Sequence, residues 1–384
     1  AYDSDIAKDI LATQPDPSTG LPVNLIGVRQ DRSATYTGLR LASLHVGGHH
    51  AIKFGVEGSM ESFVSNARFV ALGKPDLFDN VARRGSQVGA YVQDKWSPSR
   101  ALTISAGLRY DHSTGFVWGN QLSPRIGVNI APDSKNVVHF YYGRLYAAPA
   151  LEDVRRSFTI LAGAGDVPVY DLKPERDSYT EMGIAHTFAT GFTGYLNYFR
   201  RNAINVLDTT QLLNTPLFAV FNNAVGRVEG AELRLQCSSN SGDSWFVSGT
   251  VSRAEAGGVS GSTFLFPPTD NSLQPEDHDQ TYEAVGAYTH RFGASRRMFA
   301  TLQTKYGTGY PVQFQSGPAR LPAHIGFDVS VGRDPGRGPD RSVGFNLSIE
   351  NVLGHQYPIK VTNGFNTTQI SVGRKMLLRL TAPI

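Results

Sequence analysis

The residues best suited to chemistry are few and scattered. His45, His49 and His50 surround one short Gly-Gly turn and could be metal ligands. No second set of donors at ligand spacing accompanies them, so they read as solvated imidazoles and no metal site is expected. Glu152 and Asp153 with Arg155 and Arg156 form a charged run in a Gly-containing stretch. Arg155 and Arg156 could grip a charged ligand, or the run could pair with itself on a solvated loop. Phe158, Tyr170, Phe264 and Phe266 fall in similar stretches, the last two in Phe-Leu-Phe-Pro-Pro, and could stack on a ligand or on one another. No nucleophile elbow, phosphate-cradling glycine loop, His-Glu-x-x-His or Cys-x-x-Cys is found. Carboxylates are too dispersed to nominate a glycosidase pair. The chain is therefore expected to be no enzyme and to need no cofactor.

The elements that must carry these loops are legible in the spacing of apolar residues. In Leu102 to Asp111, LTISAGLRYD, the residues Leu102, Ile104, Ala106, Leu108 and Tyr110 fall on one face. Thr103, Ser105, Gly107, Arg109 and Asp111 fall on the other, which is the period of a β-strand with one apolar and one polar wall. Ile52, Phe54 and Val56 alternate with Lys53, Gly55 and Glu57, and Val343, Phe345, Leu347 and Ile349 with Gly344, Asn346, Ser348 and Glu350. About fifteen such segments are predicted, near 33–46, 51–63, 86–96, 101–112, 122–131, 136–146, 177–188, 191–201, 224–237, 244–253, 282–292, 297–307, 322–332, 341–352 and 369–381. Their length exceeds the roughly 5–6 residues usual in soluble sheets and matches the roughly 9–11 that a tilted strand needs to cross hydrocarbon. Residues 1–30 read as mostly loop, with room for one strand.

The gaps alternate. Short ones, Gly47–His50, Ser97–Arg100, Pro132–Lys135, Ala189–Gly191, Ser238–Asp243, Gly293–Arg296 and Asp334–Asp340, take turns with longer ones near 64–85, 113–121 (the shortest of this group), 147–176, 202–223, 254–281, 308–321 and 353–368. Short turns on one rim and long loops on the other mark an up-and-down barrel that spans a membrane. Fold class is thus all-β, a transmembrane antiparallel barrel whose apolar side chains meet lipid. On the polar face Arg109, Arg125, Glu181, Glu232, Arg234, Asp328 and Glu350 are expected to face the lumen, either lining a path or satisfying one another. Tyr91, Trp96, Tyr110, Tyr141, Tyr142 and Tyr146, near strand ends, suit an interfacial girdle.

Composition agrees with this class. The 384 residues are 40% hydrophobic with a net charge of +3, and mean hydropathy is −0.23. Charge this balanced does not point to nucleic acid. No apolar run of about 18 residues forms a transmembrane helix, which does not bear on a barrel, since its strands show lipid only every second residue. The single cysteine, Cys237, excludes an internal disulfide. The N-terminal AYDSDIAKDI is not an export signal, so either such a signal has been removed or the chain begins partway through a longer protein.

Five segments, in order, resemble the barrel of TonB-dependent outer-membrane receptors. They are Tyr91-Val92-Gln93-Asp94-Lys95-Trp96 with Leu102–Asp111; Ser123-Pro124-Arg125 with Tyr142-Gly143-Arg144 to Pro149; and Leu172-Lys173-Pro174-Glu175 with Tyr179, Glu181 and Gly183. Asn223 with Gly230-Ala231-Glu232-Leu233, and Asn351-Val352-Leu353-Gly354-His355-Gln356-Tyr357, complete the set. The resemblance implies the C-terminal part of a 22-stranded barrel in the bacterial outer membrane, spanning 1–384, with no plug domain in these residues. It also admits the subgroup carrying a carboxypeptidase regulatory-like N-terminal module. Its implied partners are outer-membrane lipid, an extracellular small solute (a siderophore, cobalamin, oligosaccharide or peptide) and, through a plug, the TonB complex. The final Thr-Ala-Pro-Ile departs from the terminal aromatic common in such barrels. A passive porin or adhesin barrel is the alternative; a secreted all-β binding protein accounts for neither strand length nor gap alternation.

Overall fold

Alternating side chains and short Gly-bearing turns leave the backbone one economical solution, a meander in which each strand pairs with the next. The computed structural model describes residues 2–6, 12–15, 22–71, 77–115, 117–150, 172–211, 218–259, 272–312, 320–336, 342–360 and 368–382. Every element among them is a strand. In chain order they are β1 (Tyr2–Ile6), β2 (Ala12–Pro15), β3 (Pro22–Gly47), β4 (His50–Ala71), β5 (Leu77–Ser99), β6 (Leu102–Thr114) and β7 (Gly119–Ile130). Then follow β8 (Asn136–Ala147), β9 (Glu175–Ala189), β10 (Phe192–Gln211), β11 (Phe218–Ser238), β12 (Ser244–Val259) and β13 (Gln274–Pro275). The series closes with β14 (Tyr282–Phe292), β15 (Met298–Gly307), β16 (His324–Arg333), β17 (Gly344–Glu350), β18 (Pro358–Lys360), β19 (Gln369–Ile370) and β20 (Lys375–Thr381).

Eighteen of these form one antiparallel sheet, and β18 and β19 pair separately. Setting aside the stubs β1, β2 and β13, fifteen strands remain, at the fifteen predicted places, from 26 residues in β3 to 7 in β17 and β20. Ladders join sequence neighbours from β3 to β12 and from β14 to β17, while β12 pairs with β14 past the stub β13 and β17 pairs with β20 past β18 and β19. Along the other edge of β3 lie β1 and β2, opposite residues 22–34.

Residues 1–30 are therefore not mostly loop: β1, β2 and the first third of β3 run through them. Apolar alternation lapses here at Asn24, Gly27 and Arg29, yet these residues pair in register with Gln14, Val70 and Arg68. At about 3.3 Å per residue, the 26 residues of β3 span about 85 Å. Tilted as barrel strands are, it stands well clear of a hydrocarbon layer about 25–30 Å thick.

The turns explain the short gaps. Gly48 closes the β3–β4 hairpin at φ 57°, and Gly191 closes β9–β10 at φ 80°, a left-handed region that side chains with a Cβ avoid. At Gly191 the backbone of Ser238 also donates to the glycine carbonyl at 2.8 Å, a close approach that leaves no room for a side chain.

The sheet has no thick dry core. Among the described residues the buried apolar side chains are Ala34, Phe63, Val117, Leu172, Ala203, Phe221 and Ala256. The alternating apolar set lies open instead: Leu39, Leu41, Val56, Leu108, Leu196, Leu233, Leu347 and Leu378 are all exposed, Leu378 at 66%. A contiguous apolar surface of this size is incompatible with water and compatible with lipid.

Candidate functional site

The face opposite this apolar surface carries charge in rows that follow the strand registers. Arg40, Glu57, Gly89 and Asp111 are successive partners across β3, β4, β5 and β6. Arg40 Nε donates to Glu57 Oε2 at 2.7 Å. Arg109 Nε donates to both oxygens of Asp111, at 2.8 and 3.0 Å, and its Nη2 crosses β5 to reach Glu57. That crossing needs Gly89, because a Cβ there would stand 2.5 Å from Arg109 Nη2. A cavity of about 530 Å³ adjoins the network, with Gln87 and Tyr146 also on its wall.

The other predicted polar-face residues recur in the same manner. Arg125 sits between Gly107 and Gly143 in the register, and no carboxylate pairs with it among the described residues. Glu181 accepts from Tyr179 at 2.5 Å and bonds His139 Nε2 at 3.1 Å. Ser248 donates to Glu232 at 3.0 Å, while Arg234 donates to Gln236 at 3.2 Å and lies 4.8 Å from the centroid of Phe246. Glu232, Arg234 and Gln236 line a cavity of about 320 Å³ with Tyr195 and Asn197. Asp328 accepts from Lys305 Nζ at 2.9 Å and from the Asn351 backbone at 2.8 Å, and Glu350 is the register partner of Lys375. Asp328, Glu350, Lys305 and Lys375 share a third cavity, of about 360 Å³, with His324 and Tyr357. The seven polar-face residues thus share one face but not one site. Arg125 stands apart, and the other six fall into four clusters along the wall.

Arg155, Arg156, Phe158, Tyr170, Phe264 and Phe266 lie outside the described residues. The loops do show a feature that sequence reading missed. The segment Gln274–Gln280, QPEDHDQ, ties three long connections together. Asp277 bonds Lys360, from the last long connection. Asp279, whose side chain is 1% exposed, binds Arg320 and accepts from the Ala254 backbone at 2.7 Å. Gln280 Nε2 donates to the Thr308 carbonyl at 2.6 Å. Rings continue the tie: His278 meets Tyr310 edge-on, Tyr310 stacks toward His324, and His324 stacks on Tyr357 with centroids 3.9 Å apart. Burial, with Asp208 and Asp277 nearby, pushes Glu276 up to about 7. Asp277 is held below its ordinary value by Lys360 and His278, against the opposing effect of its burial. The only hint in the sequence was an acidic run inside a long gap.

The Leu172-Lys173-Pro174-Glu175 motif has a mechanical role. Leu172 is buried against Val117. Asn222, 1% exposed, donates to the Lys173 carbonyl at 3.0 Å and the Asn205 carbonyl at 2.7 Å, and accepts from the Lys173 backbone at 2.9 Å. Arg201 joins Glu175 and Asp177. His50, read as merely solvated, bonds Asp94 at 2.6 Å and stacks on Trp96. Among the described residues no three His, Cys, Asp or Glu side chains are grouped to hold a metal.

Long antiparallel strands, an apolar exterior, charged rows on the reverse face and alternating turns and loops define a membrane-spanning β-barrel wall. The chain belongs to the TonB dependent receptor-like β-barrel family, whose model matches residues 8–366. It resembles the iron-regulated outer membrane virulence protein of Vibrio cholerae serotype O1 at 24% identity over 158 residues, 40% of this chain and 23% of that protein. It resembles the TonB-dependent transporter Oar of Myxococcus xanthus at 29% identity over 121 residues, 29% of this chain and 10% of that protein. Among solved structures it superposes on the unliganded ferric citrate transporter FecA with a TM-score of 0.67 at 14% identity, covering 94% of this chain and 56% of that one. On the copper transporter OprC the TM-score is 0.68 at 13% identity, covering 96% and 59%. The chain therefore spans little more than half the length of these transporters. Its place is the bacterial outer membrane, and its family is one of receptors and transporters rather than enzymes.

Proposed function

We propose that this chain forms the wall of a receptor that admits a scarce extracellular solute when TonB, acting through a plug domain, opens the lumen. The observation that carries the reading is the pairing of a lipid-compatible exterior with charged rows on the opposite face. Such rows cost little if they meet water or a plug and are costly if they meet lipid. Arg109, Arg125, Glu181, Glu232, Arg234, Asp328 and Glu350 are then lumen-facing, and the cavities beside Arg109, beside Glu232 and Arg234, and beside Asp328 and Glu350 are places where plug side chains can dock. The tied loops around Gln274–Gln280 form part of the solute's entrance, and Arg155, Arg156, Phe158, Tyr170, Phe264 and Phe266 are candidate contacts there. The solute class is a siderophore, cobalamin, an oligosaccharide or a peptide. The names of the relatives, iron-regulated and ferric citrate among them, support a metal chelate first.

The test is uptake of radiolabelled ferric chelates by iron-starved cells expressing the receptor that contains this wall. Accumulation that disappears when TonB is deleted supports the proposal. Accumulation that is equal with and without TonB refutes it in favour of a passive pore.

A further inference from the structure

The lipid-facing surface changes character abruptly on β8 to β12. Near the short-turn rim, Phe192, Cys237, Trp245 and Tyr288 form one register row on this surface. Above it the face is apolar, with Leu196, Leu233, Val247 and Val251 exposed, and Tyr198 and Tyr282 bound its upper margin. The next row up reads Tyr142, Thr180, Arg200, Glu229, Arg253. The row beyond it reads Arg144, Ser178, Asn202, Arg227, Glu255. From Phe192 to Arg200, β10 counts nine residues, the length a tilted strand needs to cross hydrocarbon. These two rows therefore lie at the headgroup level of the leaflet on the long-loop side.

The two rows hold four guanidiniums (Arg144, Arg200, Arg227, Arg253) and two carboxylates (Glu229, Glu255), a net charge of +2. Of the four, only Arg227 is closely paired among the described residues. Arg200 stands 4.0 Å from Glu229 with its side chain 42% exposed, and Arg253 stands 3.7 Å from Glu255 at 68% exposed. Arg227 bonds Glu229, and Arg200 Nε also donates to Asn202 Oδ1 at 3.2 Å. Arg144 has no ion pair among the described residues. Guanidinium forks beside hydroxyl and amide groups suit phosphate oxygens. Across five strands spaced about 4.8 Å apart, the patch is about 19 Å wide.

We infer that Arg144, Arg200, Arg227 and Arg253 form a docking site for the phosphorylated headgroup of an outer-leaflet lipid, whose acyl chains lie along the apolar rows below. A lipid is the occupant, rather than a soluble anion or an acidic protein, because the arginines continue the lipid-facing rows without a break. The inference rests on the membrane placement of the wall and not on the solute or the energy source proposed above.

The test uses the full chain, purified in detergent and titrated with bisphosphorylated lipid A, with the same lipid stripped of its phosphates, and with inorganic phosphate, bound lipid being counted by native mass spectrometry. The expected result is binding of the phosphorylated lipid, loss of binding without phosphates, and no displacement by millimolar inorganic phosphate. The triple variant Arg200→Gln/Arg227→Gln/Arg253→Gln weakens binding on the order of a hundredfold. Glu229→Gln/Glu255→Gln, which keeps every arginine, strengthens it and serves as the decisive variant should the triple one fail to fold. Equal retention of the two lipids, displacement by free phosphate, unchanged binding in a folded triple variant, or unchanged binding in the glutamine pair each overturns the proposal.

Discussion

Gly89 tests whether the charge rows hold the wall together. It lies between Glu57 and Asp111 in the register, and Arg109 reaches Glu57 only across its empty side. A Cβ at this position meets the far end of a flexible side chain 2.5 Å away, so in Gly89→Ala the arginine swings aside rather than the backbone shifting. What is lost is one charge-assisted bond between groups about a quarter exposed, worth about 1.5–3 kcal/mol. The Nη2 contact to Asp111, 2.7 Å, moves with it, and the two bonds from Nε keep Arg109 on Asp111. Urea unfolding in lipid vesicles, followed by Trp fluorescence, reads the change as a lower midpoint at constant slope. The background supplies the control: with Arg109→Gln already present, Gly89→Ala costs close to nothing, so the double-mutant cycle shows a coupling of about 1.5–3 kcal/mol. An equal cost in both backgrounds refutes the account of Gly89 as the passage for Arg109.

Two further outcomes follow from the loops. Asp279→Ala strips Arg320 of its carboxylate and leaves the Ala254 amide without its acceptor; the expected cost is about 3–5 kcal/mol, read as a lower urea midpoint, and a change under 1 kcal/mol contradicts the tie. Glu276, raised from 4.5 to about 7, binds its proton more tightly in the folded state, so its contribution to stability is fully present below pH 4.5 and is lost as pH rises to about 7. Hydrogen exchange of the Gln274–Gln280 segment therefore quickens across that window beyond its intrinsic pH dependence. Glu276→Gln removes this excess, and an excess that persists in the variant contradicts the assignment.

Strand positions were legible because lipid imposes a strict rule. Leu102 to Asp111 alternates without a break and lies inside β6, and the predicted 136–146 matches β8 to within a residue. Where the rule lapses, the pattern fades. The outer parts of β3, β4 and β5 carry Arg29, Asp31, Asn66 and Arg84, which show no apolar period, yet they extend the ladders far past the predicted 33–46, 51–63 and 86–96. Parity also sorted the seven polar-face residues onto one face, since a strand's two sides are fixed by position alone. Which side chains meet was not legible. Arg109 and Glu57 are 52 residues apart, Lys360 and Asp277 are 83 apart, and no local spacing encodes either pair. Gly89 gave no signal of its own, because its role exists only once three strands are in register.

The most direct test of the membrane wall replaces Cys237 with Ser and then places single cysteines at neighbouring positions of opposite parity. These are Leu108 and Arg109 on β6, Leu233 and Glu232 on β11, and Leu347 and Ser348 on β17. After reconstitution, a bimane at 108, 233 and 347 is quenched by brominated lipid, while 109, 232 and 348 react with a membrane-impermeant maleimide and escape quenching. Uniform protection from both reagents at 108, 233 and 347, in a protein that stays monodisperse without detergent, would contradict the lipid-facing wall.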